Sequence, residues 1–124
     1  MGFQDDWVMR QIDIVARFVS SLVFKKDLVK YEPGVSDMLS RTDEVYYSIM
    51  LLLKEGRICE AEDELFENME FSDRYVELAT DFYQRLNAMT DQELEAADFS
   101  RDEVYDGFID ILTQLGIPVE QFTE

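Results

Sequence analysis

Seven carboxylates crowd one stretch of the chain, Glu55, Glu60, Glu62, Asp63, Glu64, Glu67 and Glu70. On a helix, carboxylates three and four residues apart share a face, so such a row could hold a metal ion. The surrounding pattern does not support it. Di-metal helical bundles pair glutamates with histidines three residues on, and calcium loops alternate oxygen donors around a glycine. This chain has no histidine and no such loop. The row reads as a solvated acidic face, and neither a metal nor a cofactor is expected. Glu62 is the exception, because on a helical wheel it falls between Ile58, Phe66 and Met69, inside the apolar stripe. Its carboxylate must either find a donor, such as Arg57, Arg85 or a tyrosine hydroxyl, or lie at a partner's surface.

Cys59 is the single cysteine. Without an imidazole anywhere, its thiol would need a lysine or a helix terminus to become a nucleophile, so a small core thiol is expected. Gly56 and Gly107 stand alone and make no phosphate-cradling loop. No catalytic residue is assigned, and the chain is expected not to be an enzyme.

The elements that carry these residues are helical. From Asp5 to Phe24, the residues Trp7, Val8, Ile12, Ile14, Val15, Phe18, Val19, Leu22 and Val23 recur at helical spacing over an arc of roughly 200°. That is wider than one neighbouring helix covers, and Trp7 and Phe18 suit interface anchors. Pro33-Gly34 marks a turn in a crossover loop over 32–41. Thr42 is the expected N-cap of a second helix, whose Val45, Tyr46, Ile49, Met50, Leu51, Leu52 and Leu53 are apolar nearly all round, as the central member of a bundle would be.

Gly56 supplies the left-handed residue that stops that helix, and Ile58 opens the third, running to about Met69. Ser72 caps a fourth, with Tyr75, Val76, Leu78, Ala79, Phe82, Tyr83 and Leu86 in one stripe. Two capping boxes follow, Thr90-Asp-Gln-Glu93 and Ser100-Arg-Asp-Glu103. The first opens a short helix to about Ala97. The second opens a helix with Val104, Phe108, Ile111, Leu112 and Leu115 inward, stopped by Gly116 and Pro118. The expected fold is all-α: one domain over 1–124, a bundle of five main helices plus a short one, with an amphipathic N-terminal helix and tail over 1–31 and a helical body over 42–118.

With 28 acids, 11 bases and a net charge of −17, the field around the chain repels phosphate backbones and anionic lipid, so neither nucleic acid nor membrane is an expected partner. At 47 % hydrophobic, with 16 aromatic residues, the chain holds enough apolar surface for a real core under that charge. No apolar run approaches a membrane span, and the first 20 residues lack the pattern of a signal peptide, so the expected address is the cytoplasm. The charge is uneven: residues 1–31 carry a net +1, leaving −18 for the remainder. The first helix is therefore expected to dock on its own acidic body or to pair with another copy or a partner, and its wide apolar arc with Trp7 and Phe18 predicts a symmetric homodimer or other self-association through it.

The hairpin Ser48 to Glu70 resembles a tetratricopeptide unit, with Gly56 followed by Ala61 where two helices approach and Leu65 and Phe66 filling the gap, although the tryptophan, the Leu-Gly pair and the closing proline of that repeat are missing. Taken whole, GFQDDWVMRQIDIVARFV, EGRICEAEDELFENME and FYQRLNAMTDQELEAADFSRDEVY resemble a family of short bacterial proteins of unknown function. That resemblance implies a cytoplasmic bacterial protein and brings no catalytic residue, ligand or partner. The function expected from the residues is a non-catalytic interaction or scaffold module, with Trp7, Phe18 and Glu62 as candidate contacts. The alternatives are an acidic nucleic-acid mimic that occupies a basic protein, and a small metal-dependent or hydrolytic enzyme.

Overall fold

The computed structural model describes residues 3–25, 30–34 and 39–122. Among them there is no strand, and no helix is long and apolar enough to cross a membrane. Six α-helices follow in order: α1 (Phe3–Val19), α2 (Arg41–Lys54), α3 (Ile58–Glu67), α4 (Asp73–Asn87), α5 (Asp91–Ala96) and α6 (Arg101–Gln114). A π turn, Ser20–Phe24, extends α1, and a 3₁₀ turn, Glu120–Phe122, follows α6.

Helix α1 buries Val8, Ile12, Val15, Ala16 and Val19 against α4 and α6, leaving Trp7 and Ile14 outside. Its apolar arc is wider than its two neighbours cover, as the pattern predicts. The α-helical part stops at Val19, where the Ser20 hydroxyl donates to the Ala16 carbonyl at 2.8 Å and the backbone loosens into the π turn. Lys25, at φ 56°, closes it by donating its amide to the Ser20 carbonyl.

Three expectations need correcting. The N-cap of α2 is Ser40, not Thr42: the Ser40 hydroxyl accepts from the Asp43 amide at 3.1 Å, and the Asp43 carboxylate accepts from the Ser40 amide at 3.1 Å. Asp43 does the work expected of a glutamate in such a box, while Thr42 sits in the first turn and donates to Glu70 at 3.2 Å. Nor is α2 the centre. It leans on α3 and α4 from one side, so Tyr47 and Leu51 face solvent. The hub is α4, which contacts α1, α2 and α6 and buries nine residues, Tyr75, Val76, Leu78 to Tyr83 and Leu86. Finally, Cys59 is exposed rather than a core thiol, because Ile58, Ala61 and Leu65 form the inward face of α3 and residue 59 is rotated away from it.

The crossover expected over 32–41 lies partly outside the described residues, at 35–38. Its near end is tied down by Asp43, which also accepts from the Tyr31 hydroxyl and from Arg74 Nη2 at 3.1 Å. Arg74 stands over the Tyr31 ring, 4.2 Å from its centre, and donates to the Glu32 carbonyl at 2.7 Å. Burial works against the Asp43 carboxylate, but hydrogen bonds from the Tyr31 hydroxyl and the Ser40 and Gly34 amides outweigh it and hold the group below the ordinary carboxylate range.

Eight carboxylates meet an arginine among the described residues. They are a minority of 28 acids, so self-repulsion of the compact state persists. The melting temperature should therefore rise between low and moderate salt, as the repulsion is screened over a Debye length of about 8 Å. A thermal melt insensitive to salt would show that local ion pairs already balance the charge.

Candidate interaction groove

Along α6, Tyr105, Ile109 and Thr113 repeat every four residues, as do Asp106 and Asp110, so an apolar-to-polar row and an acidic row run side by side. Across from them α1 presents Trp7 and Gln11, one turn apart, and the 3₁₀ turn brings in Gln121 and Phe122. Together these residues line a groove of about 640 Å³. Its walls are fixed from outside. The Tyr105 hydroxyl donates to the Phe122 carbonyl, and the Phe122 ring meets Phe18 edge-on at 5.3 Å. Trp7 is 56 % exposed at the rim, an unusual place for so large an apolar ring.

Beyond the Asp106–Asp110 row lies a second depression, of about 250 Å³, lined by Glu62, Phe66, Glu103, Asp106, Gly107 and Asp110. Glu62 is half-buried there and accepts from the Tyr83 hydroxyl at 2.6 Å. Tyr83 is itself fully buried and stacked on Phe108, 5.2 Å between ring centres. Glycine at 107 makes this meeting of α3, α4 and α6 feasible. A Cβ there would stand 2.1 Å from the Glu62 carboxylate and 2.7 Å from the Tyr83 hydroxyl oxygen. Burial pushes the Glu62 carboxyl above its ordinary value. The Tyr83 hydrogen bond opposes that shift, and the like charges of Asp63, Glu103 and Asp110 reinforce it.

Of the donors considered for Glu62, the tyrosine hydroxyl is the one it finds. Arg57 is taken by Glu55 at 2.9 Å and by Glu60, and Arg85 by Asp81 at 3.1 Å. Cys59 lies near the same acids, and its thiol is pushed up by partial desolvation and then by Glu103, Glu62, Asp98 and Asp63, which makes it a poor nucleophile. Among the described residues, no group of three or more His, Cys, Asp or Glu side chains is arranged to hold a metal ion.

The chain matches DUF6483, a family of unknown function, over residues 2–116. It belongs to that family. The match takes in all six helices and ends before the 3₁₀ turn that carries Phe122. No curated protein and no solved structure matches the chain.

Within this family member, the three residues singled out by sequence fall along one stretch of surface in different roles. Trp7 is the exposed rim of the groove, Phe18 is half-covered and props Phe122 from behind, and Glu62 lies across the acidic row in the second depression. The α6 residues Tyr105, Asp106, Ile109 and Asp110 and Phe122 of the 3₁₀ turn join the site only in the fold. The four-residue repeats on α6 hold that signal in the sequence, but only the docking of α1 shows which side stays open.

Proposed function

We propose that this protein is a non-catalytic interaction module that docks a partner segment in the groove between α1 and α6. The observation that carries this reading is Trp7, a large aromatic ring half in solvent at the rim of a groove whose opposite wall holds Tyr105, Ile109 and Phe122. An exposed tryptophan at the edge of a concave surface with half-buried apolar walls is a typical interface anchor. The chemistry available points away from catalysis: histidine is absent from the sequence, the lone thiol is pushed up, and Glu62 is occupied by a tyrosine hydroxyl.

Site-specific photocrosslinking in the source cell tests the reading. A benzophenone side chain in place of Gln11 or Thr113 should yield a discrete crosslinked species that Trp7→Ala removes, while the same probe at Glu44 should not. Equal crosslinking from all three positions, or none from the groove, would sink it.

A further inference from the structure

The geometry points to a cationic amphipathic helix of a partner protein as the occupant of this groove. This inference rests on the docking role just proposed and adds the chemistry of what docks. The groove supplies apolar rings at Trp7, Tyr105 and Phe122 with Ile109 between them, and on one edge a row of two carboxylates, Asp106 and Asp110. Neither carboxylate meets a lysine or arginine among the described residues; Asp110 accepts only from the Gln114 amide nitrogen, at 3.1 Å.

Most of the arginines are committed elsewhere. Among the described residues, six of the seven arginines form ion pairs, and none of these pairs involves a residue of either depression. With no lysine or arginine of the described residues paired to them, Asp106 and Asp110 are open to a cation brought by a partner. Because the two carboxylates form the wall shared by both depressions, a cation placed between them is also within the field of Glu62 and Glu103 on the far side.

The shape favours a helix over a compact small molecule. From Tyr105 to Thr113 the groove runs along α6 for about 12 Å, and it is bounded on its other side by α1, so it forms a trough between two helices. An amphipathic helix fills such a trough with apolar side chains three and four residues apart and can set lysines or arginines along one edge. A second copy of this chain is the poorer candidate, since each copy brings a charge of −17 to the encounter.

Trp7 is the only tryptophan, so its fluorescence reports directly on the groove. The probe is an amidated Leu/Lys amphipathic peptide of about 14 residues, roughly 21 Å when helical. Its controls are a scrambled peptide of the same composition and a Leu/Gln peptide of the same pattern. The full chain should show a saturable blue shift with the patterned Leu/Lys peptide. Asp106→Asn with Asp110→Asn should weaken binding about tenfold or more, whereas Glu44→Gln with Glu67→Gln, an equal charge change on the α2–α3 hairpin, should change it far less.

Equal binding of the Leu/Gln peptide would overturn the cationic occupant and leave the docking role standing. Equal binding of the scrambled peptide, or equal loss from both double variants, would reduce the effect to bulk charge and overturn the inference. A blue shift that grows with protein concentration alone would put a second copy in the groove. No response to any peptide, by fluorescence or by calorimetry, would overturn both the occupant and the docking role.

Discussion

Replacing Arg101 by alanine should destabilise the fold by about 3 kcal/mol, the largest loss expected from any single charged residue here. Its side chain is only 3 % exposed. The guanidinium donates to the Asn87 carbonyl at 2.9 Å, to the Met89 carbonyl at 3.0 Å and to the Asp91 carboxylate at 2.6 Å, so it ties the end of α4 to the start of α5 from the first turn of α6. Without it Asp91 can turn to water, but the two carbonyls are left facing a protein interior with no donor. For a domain of this size the melting temperature should fall by roughly 10 °C. Arg101→Met separates the contributions, since methionine keeps much of the packing of the aliphatic stem and supplies no donor. If the methionine variant melts like the native protein, the stem and not the carbonyl contacts is what Arg101 provides.

Arg101 also shows where reading the sequence stops. Ser100-Arg-Asp-Glu103 is legible as a helix start, and both ends of the box form as expected, with the Ser100 hydroxyl accepting from the Glu103 amide at 3.1 Å and the Glu103 carboxylate accepting from the Ser100 amide at 2.8 Å. Nothing in the box marks its arginine as buried, because two of its three partners are backbone carbonyls, which leave no mark in side-chain patterns. The same limit governs the N-cap of α2. Thr42 and Ser40 are equivalent by residue type, and the tertiary pull of Tyr31 and Arg74 on Asp43 decides between them.

Helix number and most boundaries follow from local chemistry, the caps and the left-handed glycines, Gly56 at φ 76° and Gly116 at φ 84°. Rank within the bundle does not. The apolar run of α2 reads as more buried than the mixed face of α4, yet α4 holds the centre, because a helix's burial depends on how many neighbours surround it and not on its own hydropathy alone. The groove is legible only in fragments for the same reason. Trp7 is conspicuous by type, but Asp106 and Asp110 join it only through the packing of α1 on α6.

Gly107→Ala should destabilise by about 2 kcal/mol, even though alanine is intrinsically better than glycine within a helix by about 1 kcal/mol. The new methyl group cannot share space with the Glu62 carboxylate and the Tyr83 hydroxyl. Tyr83 is held by its stacking on Phe108, so the flexible glutamate must leave. Two consequences distinguish this from ordinary overpacking. First, Gly107→Ala should cost less in a Glu62→Ala background than in the native one, because the nearest obstructing atom is gone; strict additivity would refute the steric account.

Second, the pH dependence should change. A carboxyl raised in the folded state contributes stability that is fully present below the ordinary glutamate value, about 4.3, and is lost as pH rises through the folded value. Glu62 therefore favours the fold in mild acid. Asp81, also raised by burial, acts in the same direction, and Asp43 in the opposite one; both remain in the variants and cancel in the comparison. Glu62→Gln keeps an oxygen acceptor for Tyr83 and carries no charge, so it should fold at neutral pH at least as stably as the native chain and lose part of the gain in stability between neutral and mildly acidic pH. Gly107→Ala, having expelled the carboxylate into water, should lose that same part while remaining less stable throughout. Urea denaturation at both pH values resolves the difference, and a Glu62→Gln variant with an unaltered pH slope would mean that the carboxylate is solvated in the native fold.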